Sequence, residues 1–292
     1  MNPKLLSILR YQRYLGLTDL DFFDSLMLYR LHSTWLSIAT QLLVVGLFLS
    51  ALVATLAESL YYMDTQSQTG NTFDNAVMLA TAASQLLANL WFRSQQEAQV
   101  ALLQRLSQLA RRFQFQFMPQ TRCLDRVWMA VCLFYGAMVA GFSPHWLTGM
   151  QLSHAITLLG FAARCIIANF QITCYCGMVL VLQGLLRAQV EQLEGLLSSA
   201  SISTADLAGC LRAHDEILLL GQAELVAVYG GVLLFLSVYQ AMQCVLILYI
   251  SNLEGFKSIN EMFFILGWMA PMVFYLVLPL VVNDVLNQVS LR

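Results

Sequence analysis

Apolar stretches recur along the whole chain, and the polar segments between them are short on every second connection. A helix needs about 20 predominantly apolar residues to cross the hydrocarbon core of a bilayer. Six stretches approach that length, near 35–56, 73–92, 127–146, 155–182, 225–250 and 262–282. The second is the most polar, because it holds Asp74, Ser84, Gln85 and Asn89. The residues after Val282 include Asn283, Asp284, Asn287 and Arg292, and a seventh span does not fit among them. The pattern predicts an all-α polytopic transmembrane bundle of about six spans, one membrane domain over residues 1–292, with residues 1–33 as a cytosolic N-terminal arm.

The longer polar connections keep a helical period. Leu102, Leu106, Leu109 and Phe113 fall on one helical face, as do Leu186, Val190, Leu193 and Leu197. A third stripe is Leu207, Leu211 and Leu218, entered through Ser203 or Thr204 as the N-cap. Spans two, four and five are therefore expected to continue as helices through 93–126 and 183–224. Apolar faces there must pack on one another within the chain or on another subunit. Ala76, Ala80, Ser84 and Ala88 form a small-residue stripe that lets a neighbouring helix come close. Pro271 and Pro279 are expected to kink the sixth span.

Composition agrees with the pattern. Apolar residues make up 59% and charged residues 11% of the 292, against about half and a quarter in soluble domains. The net charge of −2 gives no electrostatic footprint for nucleic acid. Lys and Arg set the orientation. The arm carries Lys4, Arg10, Arg13 and Arg30; 93–126 carries Arg93, Arg105, Arg111, Arg112, Arg122 and Arg126; 183–224 carries Arg187 and Arg212. The connections on the other side carry only Lys257. The N-terminus is therefore expected in the cytosol, and with six spans the C-terminus too. The arm holds Asp19, Asp21 and Asp24 and lacks a long apolar core, so it does not read as a cleaved signal peptide. None of the seven cysteines falls in a segment placed outside, so no disulfide framework is expected.

Enzyme chemistry finds no foothold in the sequence. His32, His145, His154 and His214 do not share the close helical spacing of a metal site, and Cys174-Tyr-Cys176 has no matching partners. No nucleophile elbow or phosphate-binding loop occurs, and neither a cofactor nor a metal is expected. His214, on the third stripe, reads as a packed residue. Arg164 is the mid-span charge. An isolated charge at that depth is costly, so it should face the bundle interior, snorkel, or meet a ligand in an outward-open pocket. Aromatic and amide residues gather in the outer halves of the spans: Phe142 and Trp146, His154, Tyr239, Gln240 and Gln243, then Phe263 and Trp268. Ligand pockets have this mixed make-up, and so does a membrane interface without a ligand. The candidate ligand-binding set is Phe142, Trp146, His154, Arg164, Tyr239, Gln243, Phe263 and Trp268.

An N-in chain, a basic second connection and a long fourth helix running into the cytosol are joined by two further features. One is the segment Leu211-Arg212-Ala213-His214-Asp215-Glu216-Ile217-Leu218, leading through Tyr229-Gly230-Gly231 into the fifth span. The other is the close of the sixth, Pro279-Leu280-Val281-Val282-Asn283. Together they resemble an insect gustatory receptor. The resemblance implies a seven-helix plasma-membrane chemoreceptor of inverted topology, a homo- or hetero-tetrameric ligand-gated cation channel surrounded by membrane lipid. It implies a small-molecule tastant bound among the first six spans, an anchor of cytosolic helix ends, and a seventh helix that lines the pore. That helix bears a Thr-Tyr and Gln-Phe pair in the family, and no such helix follows Val282 in the 292 residues. The expectation is a chain that keeps the pocket and does not conduct alone. The insect odorant receptors share the inverted plan and are the nearest alternative. A secondary transporter would show an internal repeat, and none is seen.

Overall fold

The computed structural model describes residues 9, 11–23, 28–64, 69–113, 119–147, 152–198, 203–254 and 259–290. Within these it describes the side chains outside 21–23, 28, 55, 58–64, 69–75, 119–122, 138–147, 152–158, 250, 251, 253, 254, 259–268 and 285–290. In chain order the elements are a short helix α1 (Tyr11–Tyr14), strands β1 (Leu20–Phe23) and β2 (Leu28–Leu31), and helices α2 (Trp35–Asp64), α3 (Thr69–Ser94) and α4 (Gln96–Arg112). They continue with α5 (Pro119–Leu147), α6 (Leu152–Leu197), α7 (Thr204–Leu219), a π-helical turn (Leu220–Glu224), α8 (Leu225–Glu254) and α9 (Ile259–Ser290). The architecture is a bundle of long apolar helices, as the apolar pattern predicted.

Three helical stretches among the described residues are long and apolar enough to cross a membrane: Trp35–Ala54, Leu159–Leu197 and Thr204–Tyr249; a shorter apolar stretch covers Met269–Asp284. Thr34 caps α2: its Oγ1 accepts from the Ser37 N–H at 3.3 Å, which satisfies one of the four orphan donors of a helix start. Helix α9 continues through both Pro271 and Pro279.

Helix α6 lies at the centre and touches α2, α3, α4, α5, α7, α8 and α9. At about 1.5 Å per residue its 46 residues span roughly 70 Å. Cross-helix pairs fix the relative directions. Cys165 meets Tyr239 and Tyr175 meets Tyr229, so α8 runs against α6. Thr173 meets Tyr275 and Gln183 meets Val282, so α9 runs with α6. The most extensive helix pair is α3 on α8. There Phe92 meets Tyr229 edge-on at 5.7 Å, and a Cβ on Gly231 would lie 2.4 Å from Cδ2 of Trp91. The small-residue stripe on α3 contributes its later half to the core: Ser84 and Ala88 are buried, while Ala76 is exposed.

The sequence marks residues 1–33 as an N-terminal arm and assigns no elements within it. The arm forms the antiparallel hairpin β1–β2, with Leu20 opposite Leu31 and Asp21 opposite Arg30. Four-residue strands are too short to register as a period against the charged residues around them. The arm is held against the bundle. Thr18 donates to Gln12, whose amide donates to Cys174 of α6, and Gln104 of α4 donates to the Tyr29 carbonyl at 2.9 Å. Asp19 accepts from the Ser37 hydroxyl and, at 2.7 Å, from the Gln41 amide. Gly16 turns at φ +63°, where a Cβ would meet the Thr40 carbonyl oxygen at 2.7 Å. Only glycine satisfies both the handedness and the contact.

The helical extensions follow the predicted stripes in part. Leu102, Leu106 and Leu109 are buried, as is Leu186, while Leu197 at the end of its stripe is exposed. On α7 the buried face is Cys210, Ala213 and Ile217, and Leu211 of the predicted stripe is 54% exposed. The two stripes have the same period, and the contact with α6 selected the one with smaller side chains. The interface there is polar: Gln189 of α6 donates to the Cys210 carbonyl at 3.1 Å and pairs with His214 Nδ1 at 2.9 Å. Ser203 takes the extended N-cap conformation predicted for it, with no side-chain cap bond.

Candidate functional site

An apolar helix surrounded by other helices can hold polar side chains only if they find partners, because an unpaired polar group in a low-dielectric interior is costly. Helix α6 shows this as a column at four-residue spacing, Cys165, Asn169 and Thr173, all buried and on one helix face. Each residue reaches a different neighbour. Cys165 Sγ lies 3.1 Å from the Tyr239 hydroxyl of α8. Asn169 accepts from the Gln240 amide of α8 at 3.0 Å and donates to the Tyr135 hydroxyl of α5 at 3.3 Å. The Thr173 hydroxyl donates to its own helix at the Asn169 carbonyl, 2.8 Å away, and lies 3.2 Å from the Tyr275 hydroxyl of α9. Four helices are thereby tied by one polar network.

The column continues toward the α4 and α7 end. Tyr175 donates to Asn283 at 2.7 Å, Gln183 donates to the Val282 carbonyl at 3.2 Å, and Gln99 of α4 donates to Tyr229 at 2.8 Å. Glu224, at the π turn, pairs with Arg105 of α4. The network is incomplete at both ends: Gln99 keeps an unpartnered Oε1 at the α4 end, and two more such atoms lie at the opposite end. Gln240 is buried with its Oε1 unpartnered, and Arg164 has a buried Nε without a partner, its guanidinium carbon 5.8 Å from the Phe161 ring centre.

Of the candidate ligand-binding residues, Arg164, Tyr239 and Gln243 are described. Tyr239 and Gln243 are one turn apart on α8 and both buried, and Arg164 precedes the cysteine that meets Tyr239. The structure thus brings Arg164 and Tyr239 to one region. The side chains of Phe142, Trp146, His154, Phe263 and Trp268 lie outside the described residues. Tyr135, Asn169, Thr173 and Tyr275 escaped the sequence reading. A signal for two of them was present, since Asn169 and Thr173 interrupt a long apolar run at helical spacing. Tyr135 and Tyr275 give no such signal, being single aromatics in apolar spans.

A buried network of neutral polar groups thus joins four helices among the described residues. The family model described as 7tm Chemosensory receptor matches residues 5–292.

The chain belongs to the 7tm chemosensory receptor family.

It is 64% identical over 291 residues to gustatory and pheromone receptor 39a, isoform B, of Drosophila melanogaster, covering 99% of this chain and 78% of that one. Isoform C of the same receptor is 23% identical over 239 residues, covering 78% of this chain and 62% of its own length. Membership of the chemosensory receptor family makes this a transmembrane chemoreceptor, and the family is one of receptors rather than enzymes. The long apolar helices accord with a place in the membrane.

Proposed function

We propose that this chain is a gustatory chemoreceptor subunit. It binds a small-molecule tastant or pheromone among its helices, near Arg164, Tyr239 and Gln243, and contributes to a ligand-gated cation channel in the plasma membrane. The observation that carries the reading is the 64% identity, over nearly the whole chain, to a gustatory and pheromone receptor. The polar column supports it. A receptor shifts a pre-existing equilibrium only as far as its ligand prefers one state, and the column joins the region of Arg164 to the α4 and α7 end, where a rearrangement could be passed on.

In this reading the N-terminal arm and the segments 93–126 and 183–224, which include α4 and α7, lie in the cytosol, because they carry twelve of the 15 Lys and Arg. The pocket opens outward and takes in Phe142, Trp146, His154, Phe263 and Trp268 as well. Four subunits, of this chain or mixed with relatives, meet through their cytosolic helix ends.

The test is expression in insect cells, alone and with a second chemoreceptor subunit, with tagged termini, surface labelling and current recording during application of tastants. The expected result is a compound-evoked cation current from cells whose N-terminal tag is reached only after permeabilisation. Chain at the cell surface that neither binds nor responds to any compound, in either combination, overturns the receptor reading; an externally accessible N-terminal tag overturns the orientation.

A further inference from the structure

Among the described residues, Arg164 places a charge in the bundle whose Nε has no hydrogen-bond partner. A guanidinium carries five donors and keeps its charge in proteins. Arg164 sits in the membrane-length stretch Leu159–Leu197, with its Nε buried and unpartnered. The ion pair seen among the described residues joins Arg105 to Glu224 and does not involve it. The Phe161 ring at 5.8 Å offers a cation–π contact, which lowers the cost of the charge without accepting a hydrogen bond. Tyr239 and Cys165, the polar groups nearest along the column, are already engaged with each other at 3.1 Å. One step further along, the buried Gln240 presents an unpartnered Oε1, an acceptor. Arg164 on α6 thus keeps an unpartnered donor, and Gln240 on the neighbouring α8 an unpartnered acceptor, that do not satisfy each other.

We propose that Arg164 is the recognition point for an oxygen-acceptor head group, a carboxylate first and an ester or ketone second, carried on an apolar tail. This rests on the receptor reading only for its consequence, the gating of a current; the binding chemistry follows from a guanidinium whose buried Nε has no acceptor. A carboxylate meets a guanidinium with two parallel, charge-assisted hydrogen bonds. A carbonyl oxygen satisfies one of the donors, whereas an amine is repelled and an alkane leaves the charge unpaired. A ligand with a hydroxyl beside its carbonyl would also serve Gln240 Oε1. The same acceptor chemistry exists in a phospholipid head group, so the source is decided by experiment.

The purified 292-residue chain in phosphatidylcholine nanodiscs is titrated with decanoic acid, methyl decanoate, decylamine and decane, with bound species read by native mass spectrometry. The acid and the ester are expected to bind at least about tenfold more tightly than the amine and the alkane. Arg164→Gln should remove that advantage for the acid and retain part of it for the ester, and Arg164→Lys should retain part of the acid binding. A phospholipid that stays bound to the wild type, excludes the acid, and is lost from Arg164→Gln supports the same recognition with the lipid as its source. Equal binding of acid, amine and alkane overturns the inference, as does an equal loss of all four in Arg164→Gln. If that variant does not fold, the head-group series on the wild type decides. Compounds that gate a current with no preference for an acceptor head overturn this inference and leave the receptor reading standing. Selective acid binding without any evoked current does the reverse.

Discussion

Helices α2 and α6 both carry apolar stretches long enough to cross a membrane, yet they face different surroundings. Over Trp35–Ala54, α2 turns most of its residues outward, whereas α6 is buried nearly throughout Ile167–Leu186. Leu42 and Leu43 of α2 are 68% and 71% exposed; Phe170 and Met178 of α6 are closed off. Hydrophobicity alone does not separate the two, because lipid and protein interior are about equally apolar. Their polar residues do. On α2 the polar side chains cluster at the start, where Ser37 and Gln41 serve Asp19 of the arm. On α6 they occur along the length, at Cys165, Asn169, Thr173, Gln183 and Gln189, and meet α5, α7, α8 and α9. Polar groups deep in a membrane helix mark the side that has protein next to it.

This contrast can be broken by substitution. The largest effect is expected at the centre of α6. Phe170→Ala removes a fully buried ring that packs edge-on against Trp128 at 5.0 Å, and should cost about 3–5 kcal/mol. It is read as a drop in the thermal midpoint of a detergent-solubilised fluorescent fusion. If the midpoint holds, α6 is not the buried centre.

Next comes Gly231→Ala on α8. In an exposed helix this change stabilises by up to about 1 kcal/mol. Here the new methyl would sit 2.4 Å from Trp91, so a loss of about 1–3 kcal/mol from overpacking is expected. Trp91→Ala in the same chain should recover most of it, and without that recovery the close approach of α3 to α8 is not the cause.

A smaller effect separates the polar column from ordinary packing. In a double-mutant cycle, Asn169→Ala and Gln240→Ala should couple by about 0.6 kcal/mol, the usual strength of a hydrogen bond between membrane helices. Their amides meet at 3.0 Å. Additive losses would mean that the pair contributes nothing beyond volume. The smallest effect belongs to α2, where Leu43→Ala should stay within about 0.5 kcal/mol. A loss as large as that at Phe170 would show that another protein surface, not lipid, covers α2.

Much of the architecture was legible in the chain. Long helices cover the apolar stretches because length and apolarity are local properties; α2 starts at Trp35, one residue after its Thr34 cap. The stripe Leu102, Leu106 and Leu109 was equally legible and is buried. The site was less so. Arg164 stands out as a charge among apolar neighbours, and Tyr239 and Gln243 by their place in a span. The pairing of Asn169 with both Gln240 and Tyr135 depends on residues 71 and 34 positions away, and no local pattern carries it. On α7 the sequence pointed to the stripe Leu207, Leu211 and Leu218, yet Leu211 stayed exposed while Cys210, Ala213 and Ile217 turned inward. Small side chains there let α7 lie against α6, a choice made by the partner helix.

The sequence by itself determined that this chain is a bundle of long apolar helices with helical extensions, because the cost of leaving backbone groups unpaired in lipid permits little else. It also carried the resemblance to the chemosensory receptors. The tertiary structure decided which of those helices is enclosed, that the arm folds into a hairpin held at Gly16 and Asp19, and that Arg164 and Gln240 keep unpartnered polar atoms. Those are matters of which distant side chains share a space. Apolar periodicity says only that a face must be covered, and packing alone says by what.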